Sequence, residues 1–296
     1  MSAHQFKIDE NVFINATVEG NGPPLLLLHG YPETLSIWNK SKVQLIGQFT
    51  CIAVDLRGYG KSSKPKGPSD HSSYSKRTMA RDCVEVMTQL GYSKFYLCGH
   101  DRGGRVAHRL CVDYPHLVIA AIFLDIAPTL GMYENTSKEF AHRYYHWFFL
   151  IQQYPFPETL INGNPEAFLS YHMDRNRTGQ LAGYLEPNWN EYLQLFKDSD
   201  TVHATCEDYR ASYTIDLEHD RRDVKEGRGL KCPLLVIYGE NGIINKLFDC
   251  KKLWQERLDS DEVYLEVEGL PCGHYIPEEL PVELAEKIVG FFAKWE

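Results

Sequence analysis

Directly after the apolar run Phe95–Cys98 the chain reads Gly99-His100-Asp101-Arg102-Gly103-Gly104, and a helical pattern follows. A strand, glycines on both sides of an aspartate and then a helix describe a sharp strand-to-helix turn that presents one side chain for chemistry. Serine in that turn would form an acyl-enzyme at carbonyl carbons. A carboxylate attacks saturated carbon and becomes an ester, so the reading leans to dehalogenation or epoxide opening. The helix N-terminus, with its unpaired N–H groups and dipole, keeps such a carboxylate ionised.

The turn sits within a wider rhythm. Leu25–Leu28, Cys51–Val54, Phe95–Cys98, Ile119–Leu124, Leu234–Tyr238 and Val263–Val267 read as strands separated by helical patterns. That order implies βαβ units, an α/β fold and a mostly parallel sheet. Alternation over Phe6–Glu19 fits two antiparallel edge strands, and Pro281–Lys294 an amphipathic terminal helix. Between Pro128 and about Ser212 the rhythm gives way to an aromatic-dense helical segment, including His142–Phe149 and Tyr154–Glu158. The expected division is a core domain of residues 1–128 and 213–296 and a helical cap of residues 129–212 inserted after the sixth strand.

Composition narrows the function classes. A net charge of −9 argues against nucleic-acid binding and leaves any anionic substrate to be captured by local arginines. No stretch approaches the roughly 20 apolar residues of a membrane span, and Met1–Asn11 lacks a signal-peptide core, so no membrane association and a cytoplasmic location are expected. The eight cysteines form no CxxC pair and read as small buried hydrophobes. Cys272 and His274 lack a second metal-ligand pair nearby, so no metal is assigned.

A carboxylate nucleophile needs a base for its second half-reaction, and Gly273-His274-Tyr275 follows the last strand-like run. His274 is that candidate. Two loops compete to orient its imidazole. Asp125 lies at the C-terminal end of Ile119–Leu124, where catalytic groups collect in open α/β sheets, and is favoured; Glu240 is the alternative, since Gly242 offers no acid. Arg102 and Arg105, spaced i and i+3 at the helix end where cations are disfavoured, share one face. They make a clamp for a small carboxylate, or ion pairs with lid acids. The backbone N–H groups of Tyr31, in His29-Gly30-Tyr31-Pro32, and of Arg102 could form an oxyanion hole. Asp55-Leu56-Arg57 reads as a structural loop.

Taken together, His29–Pro32, Gly99–Arg105, Asp125, His146-Trp147, Glu207-Asp208-Tyr209-Arg210-Ala211 and Gly273-His274 resemble the fluoroacetate dehalogenases of the α/β-hydrolase superfamily. The likeness runs over nearly the whole chain. It implies an α/β-hydrolase fold: a mostly parallel eight-stranded sheet with helices on both faces and a helical lid after strand six. It also implies Asp101 as nucleophile, Asp125 as acid and His274 as base, with the substrate carboxylate on Arg102 and Arg105. His146, Trp147 and Tyr209 would receive the halide. No cofactor is implied, and relatives look like homodimers acting on a small-molecule haloacid. Two alternatives stand beside it: an epoxide hydrolase using lid tyrosines, and a non-catalytic binder.

Overall fold

The computed structural model describes residues 3–174 and 182–295. Strands β1 (Ala3–Lys7), β2 (Phe13–Gly20), β3 (Pro24–Leu28), β4 (Thr50–Val54), β5 (Phe95–His100), β6 (Val118–Leu124), β7 (Leu234–Gly239) and β8 (Leu265–Leu270) form one sheet in the order β1-β2-β4-β3-β5-β6-β7-β8. From β4 to β8 every pairing is parallel, whereas β2 runs antiparallel to both β1 and β4. Only β1 of the first pair is therefore an edge. The expectation of two edge strands is corrected: Ala16 pairs with Val54, and Ile14 and Ala16 are wholly buried.

The central strands are continuous apolar runs because helices cover both sides. Leu26, Leu28, Val54, Leu97 and Phe123 face one layer of core, and Leu25, Leu27, Cys51, Cys98 and Ile122 face the other. All eight cysteines are buried and free of disulfides, as their apolar settings suggested. β8 begins two residues later than its apolar pattern, because Val263 closes a turn onto the Ser260 carbonyl before the ladder starts at Leu265.

Helices α1 (Asn39–Leu45), α2 (Lys76–Gln89) and α3 (Asp101–Asp113) occupy the connections up to β6. The aromatic-dense segment is helical throughout its described length. It comprises α4 (Thr129–Glu134), α5 (Lys138–Arg143), α6 (Tyr145–Phe149), α7 (Phe156–Gly163), α8 (Pro165–Met173), α9 (Glu186–Phe196) and α10 (Ser199–Tyr213). The next helix, α11 (Ile215–Glu226), lies against the α2–α3 side of the sheet: Asp216 accepts the Lys76 backbone N–H, and Asp223 pairs with Arg109. Helices α12 (Ile243–Leu247) and α13 (Cys250–Gln255) follow β7, and α14 (Ile276–Glu279) and α15 (Pro281–Phe292) follow β8. Among the described residues no helix is long and apolar enough to cross a membrane. Asp55 caps the Leu35 N–H and Arg57 pairs with Asp82 at 2.7 Å, which makes that loop structural as read.

Candidate active site

β5 delivers the chain to a residue in left-handed backbone: Asp101 has φ 45°. For a residue with a Cβ this costs on the order of 1–2 kcal/mol and persists only where surroundings enforce it. Glycines do the enforcing. A Cβ on Gly103 would stand 2.3 Å from the His29 carbonyl oxygen, and one on Gly30 would stand 2.5 Å from the Asp101 Cβ, so helix, turn and β3 loop close on one another. The Tyr31 N–H donates to Asp101 Oδ1 at 3.0 Å.

The carboxyl of Asp101 is buried, at 4% exposure. Burial alone would raise its pKa, but His274, His100, Arg105 and Arg102 outweigh burial and hold it well below the usual carboxylate range. His100 is one of those charges. Its Nδ1 meets Glu33 Oε2 at 3.1 Å and its Nε2 meets the His274 carbonyl at 2.8 Å, so acceptors face both ring nitrogens. Burial opposes the charge, yet Glu33 and Asp101 prevail and the imidazole is pushed up to about 9.

His274 reaches the site from the loop after β8. Its Nδ1 donates to Asp125 Oδ2 at 2.6 Å, while its Nε2 stands 3.8 Å from Asp101 Oδ2 with no hydrogen-bond partner among the described residues. Asp125 Oδ1 accepts the Gly239 N–H at 3.0 Å, which ties the carboxylate to the end of β7. The competition between loops is decided by space. A Cβ on Gly242 would lie 3.3 Å from Asp125 Oδ1, so the β6 acid fills the room that the glycine leaves. Glu240 is exposed, and its carboxylate takes no part.

Arg102 and Arg105 are both buried beside Asp101. Arg102 donates from Nε and Nη2 to the two Asp208 carboxylate oxygens at 3.0 and 2.7 Å, so it forms an ion pair with an acid of α10. Its Nη1 has no partner among the described residues. Arg105 gives Nη1 to the Ala127 carbonyl at 3.1 Å and to Thr129 Oγ1 at 2.9 Å, and its Nε has no partner among the described residues. No carboxylate lies within ion-pair reach of Arg105 among the described residues. Burial and Arg102 both push its pKa down.

Aromatic side chains from α6 and α10 close over these two cations. The Arg102 guanidinium carbon lies 4.1 Å from the Tyr209 ring centre, and that of Arg105 lies 4.6 Å from the Trp147 ring centre. His146 stacks on Tyr31 at 6.2 Å and meets Tyr209 edge-on at 5.7 Å. Trp147 Nε1 and the Tyr31 hydroxyl are buried donors without a partner among the described residues. A buried, unmatched donor costs about 1–3 kcal/mol, so such donors gather where a ligand is to be held.

Asp125, His274, Arg102, Arg105 and the Tyr31 N–H thus gather around Asp101, with His146, Trp147 and Tyr209 packed beside them, whereas Glu240 lies outside. The sequence reading missed Asp208, the Glu33–His100 pair, and His172, whose ring lies 4.8 Å from Tyr31 and 4.5 Å from His146. Asp208 could have been found, since it precedes Tyr209 in a motif already noted. His172 lies on a helix with no distinguishing pattern, and only packing brings it to the site.

A family model described as alpha/beta hydrolase fold matches residues 23–281. A fluoroacetate dehalogenase from Burkholderia sp is 39% identical over 283 residues, covering 96% of this chain and 91% of the relative. A soluble epoxide hydrolase from Corynebacterium sp. (strain C12) is 31% identical over 278 residues, covering 93% and 91%. Among solved structures, a chain from Nostoc sp PCC 7120 described as an alpha/beta hydrolase superposes with a TM-score of 0.91 at 48% identity, covering 98% of each chain.

Proposed function

Because this chain belongs to the α/β-hydrolase family, we propose that it hydrolyses the carbon–halogen bond of short 2-haloacids such as fluoroacetate or chloroacetate. The observation that carries the reading is the buried arginine pair beside Asp101, with Arg102 Nη1 and Arg105 Nε unmatched and Arg105 lacking a carboxylate among the described residues. An anionic substrate supplies that carboxylate. The dehalogenase relative supports the same substrate class.

In this mechanism Arg102 and Arg105 grip the acid end and bring the 2-carbon in line with an Asp101 oxygen. Asp101 attacks, the C–X bond breaks, and halide leaves toward His146, Trp147 and Tyr209. Fixed donors at the place where charge appears lower that barrier by several kcal/mol. Water, deprotonated by His274 Nε2, then attacks the carbonyl carbon of the Asp101 ester. Asp125 holds the imidazolium, and the N–H groups of Tyr31 and Arg102 hold the oxyanion. A 2-hydroxyacid, halide and a proton are the products, and no cofactor is required. The lid is the proposed cap of residues 129–212, and the working unit is proposed on the family resemblance to be a cytoplasmic homodimer.

Epoxide opening is the second reading, favoured by Tyr31 and Tyr209 with ring centres 5.4 Å apart and by the epoxide-hydrolase relative. It gives the arginine pair no role. Halide release from fluoroacetate, chloroacetate and 2-chloropropionate, measured beside turnover of styrene oxide, separates the two. With His274→Asn, one equivalent of chloride and an ester on the Asp101 peptide are expected by mass spectrometry. An unmodified peptide with turnover intact overturns the mechanism.

A further inference from the structure

Of the segment Glu207-Asp208-Tyr209-Arg210, the proposed chemistry uses only Tyr209. Glu207 and Arg210 pair with each other at 2.9 Å, and Arg210 also binds Glu158 at 2.6 Å. Asp208 is different, for it is wholly buried and faces the core. Its carboxylate accepts from Arg102 twice, from the Tyr59 hydroxyl at 2.6 Å, and from the Lys76 ammonium, while its backbone carbonyl accepts Arg102 Nη2 at 3.0 Å. We propose that Asp208 is a positioning residue which, from the lid helix α10, fixes the Arg102 guanidinium so that its Nη1 edge serves the substrate carboxylate. This rests on the haloacid reading above.

Arg102 has a rigid planar fork of five N–H donors. Nε–H goes to Asp208, and Nη2 is spent on Asp208 and on Ser212 Oγ at 2.5 Å. Among the described residues, Nη1 alone is left over. Because the fork is planar, holding one edge fixes the direction of the other. Lys76 shares the Asp208 carboxylate with the arginine. The buried group contains two cations, Arg102 and Lys76, and two carboxylates, Asp208 and Asp216, with Asp216 also accepting the Lys76 backbone N–H at 2.9 Å. Burial raises the Asp216 carboxyl, whereas Asp208 is held well below the ordinary range against burial by Arg102 and Lys76. A buried ion group of this kind does little for stability that apolar packing could not do, so its use lies in orientation. Since α10 belongs to the inserted segment and Arg102 to the helix after the nucleophile, the clamp is complete only when lid and core meet.

The test compares an anion with a neutral reagent in the full chain. Glycolate affinity is measured by calorimetry for wild type and Asp208→Asn. Separately, in a His274→Asn background, the rate at which bromoacetamide alkylates Asp101, with expulsion of bromide, is followed on the Asp101 peptide. Positioning requires glycolate binding to weaken about tenfold or more while labelling by the neutral reagent changes less than about threefold. Parallel losses in both, or no loss in either, overturn the proposal. If Asp208→Asn does not fold, Ser212→Ala decides: about threefold weaker glycolate with labelling unchanged supports it, and unchanged glycolate overturns it. Wild type that binds glycolate but releases no halide from chloroacetate refutes the haloacid reading and leaves the role of Asp208 standing. Wild type that binds no glycolate overturns both.

Discussion

Arg105 carries a full charge at 3% exposure, contacted by a carbonyl, a hydroxyl and an indole face and, among the described residues, by no carboxylate within ion-pair distance. Such a site is costly when empty and, on the haloacid reading, strongly selective for an anion. Arg105→Met should therefore lower kcat/KM for chloroacetate about a hundredfold to a thousandfold. The thermal midpoint should hold or rise, because the variant removes a desolvated cation. A large drop in both would make Arg105 a structural residue. At this scale most of the site was legible in the sequence. Asp101, His274 and both arginines were marked by residue type and by position at element ends. The choice of Asp125 over Glu240 was favoured there, and the structure supplies the reason: Gly242 leaves 3.3 Å to a carboxylate that also accepts the Gly239 N–H.

The turn that carries Asp101 works as a unit of strand, loop and helix, and its tolerance is set by backbone against backbone. Gly103 faces the His29 and Leu28 carbonyls, with a Cβ position 2.3 and 2.5 Å from their oxygens. Neither neighbour can rotate away. Gly103→Ala should cost more than about 2 kcal/mol in urea unfolding, in line with forced overpacking. An unchanged midpoint would show that α3 can slide off β3. Elements were read well wherever a single apolar run formed them, as with β3 to β7. They were misread where pairing decided the outcome. Phe13–Gly20 alternates as an edge strand would, yet β4 claims its second side, and no local pattern announces a partner that joins it through the Ala16–Val54 pair, 38 residues apart in sequence.

Buried carboxylates join the inserted helical segment to the rest of the molecule, Asp208 to Arg102, Glu207 to His71 and Glu278 to α9, and Glu278 is the one with a marked response to pH. Glu278, in the helix after His274, accepts from Asn188 Nδ2 at 2.8 Å and from the Tyr192 hydroxyl at 2.7 Å, both on α9. Burial, aided by Glu33 and opposed by those hydrogen bonds, raises its pKa to about 7. A carboxyl raised above its unfolded value binds more protons in the folded state between the two values. Stability is then highest below the ordinary carboxyl pKa and falls as pH rises toward 7, by up to about 3 kcal/mol, before levelling. Urea unfolding of wild type and Glu278→Gln at pH 5 and pH 8 measures this. The glutamine variant should lose that part of the pH dependence, and identical slopes would refute it. By itself, the sequence determined the α/β class and the helical segment after β6, and it marked the candidate reacting groups, because strand rhythm, sharp turns and catalytic residue types are local signals. Only the tertiary structure decided which acid orients His274, that Arg102 is held by Asp208, and which aromatic rings enclose the site. Those outcomes depend on the spacing between elements distant in sequence, where burial makes each unmatched charge or donor expensive enough to select a single arrangement.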